Sequence, residues 1–510
     1  MHHFITKHHD RITGTISCFD RVLFKGHLPL GWPDAMERFI ARQGLRLKDF
    51  AGFVRRQSER IKQHAKDMAA RAGRPYLYLH GPIRKEDRVH ALLRHDPVTE
   101  GLVCILAAVE ACQRFKLAYG EGRPRIVSAR RKCLCLYVYF LDRQFGLMHV
   151  RIATWFPFPV QVCLNGHDWL ARQMDRHGIG YRQIDNAFLR IDDPARAQRM
   201  ADRFVKRNWP RILSALARRV NPLMNTLLRG MDYYWVTQQA EYATDVMFTR
   251  PAALQGLYQP LLTHATCRFS AEDVMTFLGR KLTGRFAGDV GNHCRKRWPG
   301  ARVRHRMKEN GIKMYDKHGC VLRVETTINR PYEFKVRRRG LRKGKSVIDW
   351  FPMAKGVANL YRYAQVSRAA NRRYLDALAV VDDPTAARRQ IQALAEPVHH
   401  KGRSYRGFNP ACAADLQIFA AVMRGEHLLQ GFRNQDLRHH LAAPARTAPA
   451  ARRISARISR LLKRMHVHGL IAKVPRSRRW RVTQNGQTLM SAILTLHHEN
   501  YPQALLSPAA

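Results

Sequence analysis

The stretch ARRISARISRLLKRMHVHGLI, residues 451–471, decides the fold of one part of this chain. Five apolar residues recur at helical intervals and form a single stripe: Ile454, Ile458, Leu461, Leu462 and Met465. Four arginines form a separate line along the same helix: Arg453, Arg457, Arg460 and Arg464. Gly469 follows where a helix commonly ends. The stretch therefore predicts an amphipathic helix with one basic face.

The flanking residues extend this pattern in both directions. Downstream, LIAKV, the basic segment Pro475–Arg479 and WRVTQNG predict a two-stranded hairpin with a cationic turn. Upstream, FRNQDLRHHL, roughly residues 432–441, predicts a helix that packs across the basic one, after another helix that begins near Asp415. In this order the elements resemble the winged helix-turn-helix family of MarR-like and related bacterial regulators. The matching parts include the Gly469-Leu470-Ile471 step and the Val482–Gly486 close.

This resemblance implies a module that places its basic helix in a DNA major groove. The residues that would contact DNA lie on the helix and on the hairpin: Arg453, Arg457, Arg460, Arg464, Arg476, Arg478 and Arg479. An ordinary basic helix followed by a hairpin is the alternative interpretation. Winged helices also serve as protein–protein modules, so the fold does not by itself establish DNA contact.

Charge makes nucleic acid the expected partner. The chain of 510 residues has 89 Lys plus Arg against 39 Asp plus Glu, a formal net charge of +50. A compact body with this charge repels itself unless a polyanion neutralises it. DNA is the expected polyanion and RNA the alternative, with strongly salt-dependent affinity in either case. Membrane-surface binding is disfavoured because no long segment pairs a broad apolar face with a basic one.

Length and apolar content allow several packed domains. The longest apolar run, Leu102–Val109, is too short to span a bilayer, and the N-terminus lacks an apolar signal core. Of ten cysteines only Cys133 and Cys135 are close, and C-x-C is not the spacing of a zinc finger. Buried free thiols and a reducing cytoplasm are expected. The sequence allows a homo-oligomer.

The expected fold class is α+β, a mixed α/β N-terminal and central body followed by the winged helix. Three domains are expected: a mixed α+β domain at 1–210, a helical domain at 211–400 with a basic β region at 302–336, and the winged helix at 405–500. Thr13–Phe24 and Arg131–Leu141 read as strands. Two prolines demote part of a third, Leu147–Leu164. Arg337–Lys345 reads as a polar loop.

The basic β region contains the densest polar cluster in a strand-like context. His318-Gly319 looks like a hairpin turn between two strands with alternating polar residues. A two-residue turn pairs Tyr315 with Leu322, whereas a three-residue turn pairs Tyr315 with Arg323 and Lys313 with Glu325. The sequence does not decide between the registers, and a slip of one residue reverses which side chains share a face.

One interpretation of this hairpin is a DNA-cleaving site. Tyr315 would be the nucleophile, and Lys313, Lys317 or Arg323 would stabilise the phosphoryl charge. Glu325 would bind a metal or act as general base. The text KMYDK followed by LRVET resembles strand motifs of phage-type rolling-circle replication initiators, although the His-hydrophobe-His metal motif of such nickases is missing. The alternative is a solvated hairpin whose cations, Lys317 among them, contact nucleic-acid phosphates and whose Glu325 pairs with Lys313 or Arg323.

A second constellation is acidic. Asp20 lies in a predicted strand, Asp142 ends another, and Glu241 with Asp245 are four residues apart in a predicted helix. Carboxylates from separate elements could converge as in two-metal nucleases of the RNase H-like kind, with Mg²⁺ or Mn²⁺ as the cofactor and with Asp20, Asp142 and Glu325 as candidate ligands. No metal is otherwise predicted. Local ion pairing with the adjacent Arg21 and Arg143 is the alternative.

Two smaller features invite functional interpretations. A metal site at the histidine-rich N-terminus, His2 to Asp10, is disfavoured because chain termini are usually mobile. Tyr233, Tyr234 and Trp235 could stack on bases, although packing in a core is the commoner fate of such aromatics.

The whole chain also resembles a group of bacterial proteins that share ISCFDRVLFKG, TWFPFPVQVCLNG and KMYDKHGCVLRVETTIN, a resemblance that implies a bacterial origin. The leading hypothesis is a duplex-DNA-binding protein of mobile-element character, either transposase-like or replication-initiator-like, in which the winged helix finds the site. The alternatives are a non-enzymatic DNA-binding regulator or structured-RNA binder, and a small-molecule-responsive regulator. If the chain is an enzyme, it is a metal-dependent or tyrosine-dependent nickase or transposase.

Overall fold

The structure is a computed structural model that describes residues 1–497 apart from 82, 120–121, 282, 284–285, 297–299, 343, 382–390, 428–430, 446 and 476. It contains both helices and a large mixed sheet, which confirms the α+β class. Among the described residues, no helix combines the length and the apolar character that crossing a bilayer requires.

The strands, numbered in chain order, are β1 Ile12–His27, β2 Tyr76–Tyr78, β3 Gly101–Ala118, β4 Arg125–Asp142, β5 Gly146–Ala153, β6 Val160–Asn165, β7 Tyr181–Ile184, β8 Ala187–Ile191, β9 Tyr234–Phe248, β10 Val290–Lys296, β11 Ala301–Met307, β12 Asn310–Lys317, β13 Val321–Ile328, β14 Lys335–Arg342, β15 Lys345–Pro352, β16 Val398–His400, β17 Arg403–Tyr405, β18 Ile471–Lys473 and β19 Trp480–Val482.

The helices with bounds inside the described residues are α1 His2–Lys7, α2 Pro33–Arg42, α3 Phe50–Arg71, α4 Lys85–His95, α5 Gly166–Arg176, α6 Pro194–Ala201, α7 Trp209–Val220, α8 Pro251–Cys267, α9 Ala271–Phe277, α10 Leu360–Leu378, α11 Ala413–Val422, α12 Asn434–Leu441, α13 Ala448–Val467 and α14 Gln484–Thr495.

Two compact units divide the chain, and each is built from separate segments. Unit 1 contains Met1–Thr13, Phe248–Thr326 and Ala369–Ala510, and unit 2 contains Gly14–Met247 and Thr327–Arg368. The three consecutive ranges expected from the sequence remain a prediction about domains.

In unit 2 the strands are neighbours in the order β9-β1-β6-β5-β4-β3-β2. Pairing is antiparallel from β1 through β6, β5 and β4 to β3, whereas the short β2 runs parallel to β3. Alternate residues of β5 and β6 are buried, as expected of strands with one face on a core. β1 and β4 confirm the predicted strands at Thr13–Phe24 and Arg131–Leu141.

The stretch 147–164 forms two strands, and its prolines lie between them. The Phe156–Pro157 peptide is cis, and Phe158 adopts a positive φ of 49°. Because proline donates no backbone hydrogen bond, a continuous ladder could not run through this point. The sequence located the interruption correctly but not the reversal of direction that follows it.

In unit 1 the strands β10, β11, β12 and β13 are neighbours in that order. The loop between β12 and β13 has three residues, of which His318 and Gly319 have φ of 55° and 73°. Lys313 and Tyr315 both contact Glu325 across this hairpin. These contacts select the three-residue turn, which was one of the two registers that the sequence left open.

Two predictions of local structure are wrong. Glu241 and Asp245 lie on strand β9 rather than on a helix. The alanine, glutamine and glutamate residues of this segment favour a helix in isolation. Burial of nearly the whole segment overrides that local preference. The residues expected to form a polar loop, Arg337–Lys345, belong instead to the antiparallel hairpin β14–β15. The exposed face of a strand can consist of polar residues, so the polar sequence did not exclude a strand.

The C-terminal segment of unit 1 has a core of its own. Apolar residues of α11, α12, α13 and α14 pack together with residues near the short strands β18 and β19. Phe432, just before α12, pairs with Trp480 of β19 as a further antiparallel bridge. The predicted helix at 432–441 begins at Asn434, and the helix predicted within 451–471 begins at Ala448. Helix α14 was not predicted.

Candidate metal and nucleic-acid sites

Two acidic side chains face each other on neighbouring strands of unit 2. Ser17 Oγ of β1 lies 2.9 Å from Thr244 Oγ1 of β9, and Gly14 packs against Met247. These contacts follow an antiparallel alignment of β1 with β9 that places Asp20 opposite Glu241. Oxygens of these two carboxylates lie within 4.8 Å of each other, and both residues are buried.

Like charges directly across a strand pair destabilise the pair unless a cation neutralises them. Arg21 supplies one cation, because its Nη2 lies 3.3 Å from Glu241 Oε1. The Arg21 side chain is 49% exposed, so it contacts Glu241 from the solvent side. Two carboxylates at this separation are the donor set that Mg²⁺ and Mn²⁺ prefer.

A buried histidine connects Asp20 to a further carboxylate. His167 Nδ1 lies 3.3 Å from Asp20 Oδ1, and His167 Nε2 lies 3.2 Å from Asp245 Oδ2. The side chains of His167 and Asp245 are completely buried. Asn186 Nδ2 donates to Asp20 Oδ1 at 2.6 Å. His167 and Asn186 therefore orient Asp20, as outer hydrogen-bonding partners commonly orient a metal ligand.

Helix α5 places the histidine through two local devices. Asn165 at the end of β6 caps the helix, since its Oδ1 accepts from His167 N at 2.8 Å and from Asp168 N at 3.3 Å. Gly166 then brings the helix start against β1, where a Cβ at this position would lie 2.2 Å from the Phe19 carbonyl oxygen. Only glycine allows so close an approach.

Asp168, the next residue of α5, lies in a region with little access to solvent. Burial raises its carboxyl pKa to about 6, with Asp20 adding to the rise and with His167 and Arg172 opposing it. The carboxyl group is therefore partly protonated at mildly acidic pH.

A cleft of about 310 Å³ opens beside Arg21. The described residues that line it include the cations Arg21, Arg84, Lys85 and Arg151 and the acid Glu86. Lys85 and Arg151 both pair with Glu110. His149 also lines the cleft, and burial lowers its pKa to about 4, so its ring is neutral at physiological pH. A concave, mainly cationic surface of this kind suits a phosphate group.

Asp142, another acid of the predicted metal set, has a local role. Its Oδ1 accepts hydrogen bonds from Gln144 N at 2.7 Å and from Phe145 N at 3.0 Å. The side chain thereby closes the turn between β4 and β5, which is the usual work of an aspartate at a strand end.

The hairpin of unit 1 assembles the predicted tyrosine and glutamate. Tyr315 Oη donates to Glu325 Oε2 at 2.6 Å, and Lys313 Nζ lies 2.6 Å from Glu325 Oε1. Glu325 and Arg323 are completely buried, and Lys317 is half-buried. The Lys313–Glu325 pair matches the ion-pair alternative, whereas the short Tyr315–Glu325 contact is also the geometry of a nucleophile beside its base.

The predicted DNA-contacting arginines divide into different groups. Arg453, Arg457, Arg460 and Arg478 are exposed, and Arg476 lies outside the described residues. Arg464 differs, because its guanidinium stacks 3.7 Å from the Phe408 ring centre and its Nη1 lies 3.3 Å from Asp415 Oδ1. Arg479 is half-buried and donates to the Gly431 carbonyl at 3.1 Å. The last two arginines hold the C-terminal core together.

The histidine-rich N-terminus and the aromatic residues at 233–235 have mainly structural roles. The N-terminal residues form α1, and the terminal ammonium donates to the Arg372 carbonyl at 2.9 Å, so this end is anchored within unit 1 rather than mobile. Tyr233 and Trp235 are buried, whereas Tyr234 is 65% exposed.

Sequence reasoning missed His167 and Asn186. His167 stands in VCLNGHDWL, where a strand passes through an asparagine cap and a glycine into a helix. That cap was a readable signal. Asn186 follows a turn in which Asp185 has a φ of 49°, and no pattern in the sequence linked that turn to Asp20.

No protein-family model matches this chain, no curated protein is detectably similar to it in sequence, and no solved structure matches it.

Proposed function

We propose that this protein is a divalent-metal-dependent enzyme that breaks or transfers phosphodiester bonds in nucleic acid, with Asp20 and Glu241 as metal ligands. One observation carries the proposal. Two carboxylates lie within 4.8 Å of each other on neighbouring strands, in a chain whose net charge is +50. Carboxylate oxygens this close together are a donor set that Mg²⁺ and Mn²⁺ prefer, and a bound divalent cation would offset the repulsion between them.

The neighbouring residues support a role in catalysis. When bound, a Mg²⁺ or Mn²⁺ ion polarises a phosphoryl oxygen and lowers the pKa of water. Asp20 is held in one orientation by His167 and Asn186, so it need not reorganise when the ion binds. The cations of the cleft beside Arg21 would hold the phosphate group of the substrate.

The C-terminal segment supplies the second part of the proposal, a winged helix-turn-helix that docks on duplex DNA. Its order is helix α11, the Phe432 bridge, helices α12 and α13, the hairpin β18–β19 and helix α14. Arg453, Arg457 and Arg460 are exposed along α13, the helix that would enter the major groove. A reader module joined to a much larger basic body favours a DNA-processing protein, transposase-like or replication-initiator-like, over a simple regulator.

Tyrosine-dependent nicking is the second candidate, and the Tyr315–Glu325 contact of 2.6 Å favours it. In that mechanism Glu325 would take the phenolic proton while Tyr315 Oη forms a bond to the phosphorus, and the 3′ or 5′ oxygen of the DNA would leave. Lys313, which shares Glu325 with the tyrosine, would stabilise the phosphoryl charge. The product would be a covalent protein–DNA adduct.

A cleavage assay separates these functions. Full-length protein is incubated with supercoiled plasmid and with end-labelled single-stranded DNA, in Mg²⁺, Mn²⁺ or excess chelator. The proposal expects metal-dependent nicking that falls at least about 100-fold in Asp20→Asn and in Glu241→Gln. Glu59→Gln is the matched control, because Glu59 is an exposed glutamate on α3 that pairs with Lys62.

Each other outcome has a defined meaning. Cleavage that survives both carboxylate substitutions contradicts the metal site. A labelled adduct that survives denaturation and disappears in Tyr315→Phe establishes the second candidate. Salt-dependent DNA binding without cleavage in either metal makes the protein a regulator or a structured-RNA binder, and the proposal then fails.

A further inference from the structure

Three cysteine thiols converge on the curved hairpin of β3 and β4. Their sulfur atoms all lie within 4.8 Å of one another, and Cys112 Sγ lies 3.2 Å from Cys135 Sγ. All three residues are buried. We propose that Cys112, Cys133 and Cys135 bind a zinc ion.

The strand register explains why the three side chains share a face. Glu110 faces Cys133 and Ala108 faces Cys135 across the β3–β4 ladder. Cys112 follows Glu110 by two residues and therefore points to the same side of β3. C-x-C spacing alone gave no zinc motif because the third ligand comes from another strand.

The sulfur separations suit a tetrahedral ion. A Zn–S distance of about 2.3 Å implies sulfur atoms about 3.8 Å apart, between the 3.2 Å contact and the 4.8 Å limit seen here. Three protein ligands leave one tetrahedral position for a solvent molecule. The resulting three-thiolate zinc centre carries a net charge of about −1.

Arg151 places a guanidinium beside the thiols, and the same group pairs with Glu110 at 3.1 Å. Its Nη2 lies 3.0 Å from Cys135 Sγ and 3.5 Å from Cys112 Sγ. A thiolate is the form that binds metal. Plain apolar packing of three thiols would not require a guanidinium among them.

Metal analysis of the full-length protein tests the site. Protein purified under reducing conditions from zinc-supplemented medium should lose about one zinc equivalent per chain in Cys112→Ser and in Cys135→Ser. Cys267→Ser is the matched control, because Cys267 is exposed on α8, and it should keep the wild-type content. Zinc absorption-edge spectra should show sulfur neighbours at about 2.3 Å.

A cobalt-substituted wild-type sample keeps the test decisive if a variant fails to fold. Intense thiolate-to-cobalt charge-transfer bands are expected in the near ultraviolet. Their absence overturns the proposal, as does a zinc content that the cysteine substitutions leave unchanged. A Cys112–Cys135 disulfide in the freshly isolated protein, detected by mass mapping, also overturns it, because that bond would consume two of the three ligands.

A second inference concerns the outer face of the β14–β15 hairpin, and it rests on the proposed nucleic-acid function. In the register of this hairpin, Arg337 faces Trp350, Arg339 faces Ile348 and Leu341 faces Ser346. Trp350, Ile348 and Leu341 are 62%, 61% and 73% exposed. Large apolar side chains this exposed on a single face mark an interaction surface.

Charge identifies the partner. Lys335, Arg337 and Arg339 alternate along this face, and none of its eight residues, all described by the structure, is acidic. The only acid of the hairpin, Asp349, lies on the opposite face and pairs with Arg342. We infer that this face, the outer arm face, binds nucleic acid with unpaired bases, with Trp350 stacking on a base and the cations contacting phosphates.

Fluorescence anisotropy with a labelled single-stranded oligonucleotide tests the outer arm face. Trp350→Ala should weaken binding about 5- to 150-fold, the range for loss of one stacked base. Trp32→Ala is the matched control, since Trp32 is 74% exposed elsewhere in unit 2, and it should bind as wild type does. Equal affinities of the two variants overturn the inference. Loss of cleavage with the Trp350 effect intact would instead contradict only the proposed chemistry.

Discussion

The carboxylates of Asp20 and Glu241 lie within 4.8 Å of each other on the neighbouring strands β1 and β9. Both residues stood out in the sequence as acids within largely apolar segments, but the distance between them could not be predicted from it. Pairing of the two strands places them opposite each other, and His167 of helix α5 contacts both Asp20 and Asp245.

Replacing His167 by alanine should destabilise unit 2 strongly. The buried imidazole is a partner to both Asp20 and Asp245, so its removal leaves two buried carboxylates without it, at a cost of about 3–5 kcal/mol. His177→Ala, at the exposed end of α5, should change stability by less than about 0.5 kcal/mol. Urea unfolding followed by circular dichroism measures both. A loss in His167→Ala no greater than in His177→Ala would show that the bridge contributes nothing.

Asp168 should make stability depend on pH in a direction unusual for an acid. Burial raises its folded-state pKa to about 6, above its ordinary value of 3.8, so the native state holds the proton more tightly than the unfolded chain does. Its contribution to the free energy of unfolding is therefore lost as pH rises from roughly 4 to 6.5.

Asp168→Asn removes this cost. The variant should match wild type near pH 4 and exceed it by about 1–3 kcal/mol at pH 7. Urea unfolding at both values, with chelator present, provides the measurement, and Asp67→Asn on the exposed side of α3 is the control. A difference between Asp168→Asn and wild type that is the same at both pH values would contradict the assignment.

Gly166→Ala should distort the start of α5. A Cβ there would lie 2.2 Å from the Phe19 carbonyl oxygen, so the helix must move away from β1. We expect a loss of about 1–3 kcal/mol and a parallel loss of any metal-dependent activity, because His167 moves with the helix. Gly256→Ala on α8, where nothing lies within 4 Å, should leave stability unchanged or slightly raised. Equal melting temperatures of the two variants would argue against the tight contact.

The arginines of α13 should separate into readers and structural residues. Arg457→Ala combined with Arg460→Ala should weaken duplex binding and lower the slope of log K against log salt by about 1 per lost phosphate contact, without changing the melting temperature. Arg464→Ala should instead destabilise the C-terminal core, since its guanidinium packs on Phe408 and pairs with Asp415. Duplex binding untouched by the double substitution would remove α13 as the reader.

The sequence predicted those elements whose pattern is local. The apolar stripe and the line of arginines correctly predicted helix α13. The β-branched and aromatic residues at 131–141 correctly predicted the centre of β4. It failed where tertiary burial decided the outcome. Ala240 to Asp245 favours a helix locally, yet the segment forms β9 because both faces of the strand are covered.

The candidate site was predictable only in part for a related reason. Asp20 stood out as an acid within a strand, but the residues that orient it come from α5 and from the turn after β7. Such long-range partners leave no spacing in a single sequence. The sequence also left the hairpin register at Tyr315 open. Adding one residue to the turn moves the side chains of one strand to the opposite face relative to those of the other strand.

Manganese binding tests the central claim most directly. Chelator-treated full-length protein is titrated with Mn²⁺, and bound ion is counted by electron paramagnetic resonance. The account predicts binding that weakens at least about 10-fold in Asp20→Asn and in Glu241→Gln but persists in Glu59→Gln and Tyr315→Phe. Wild-type protein that binds no Mn²⁺, or binding that both carboxylate substitutions leave unchanged, would contradict it.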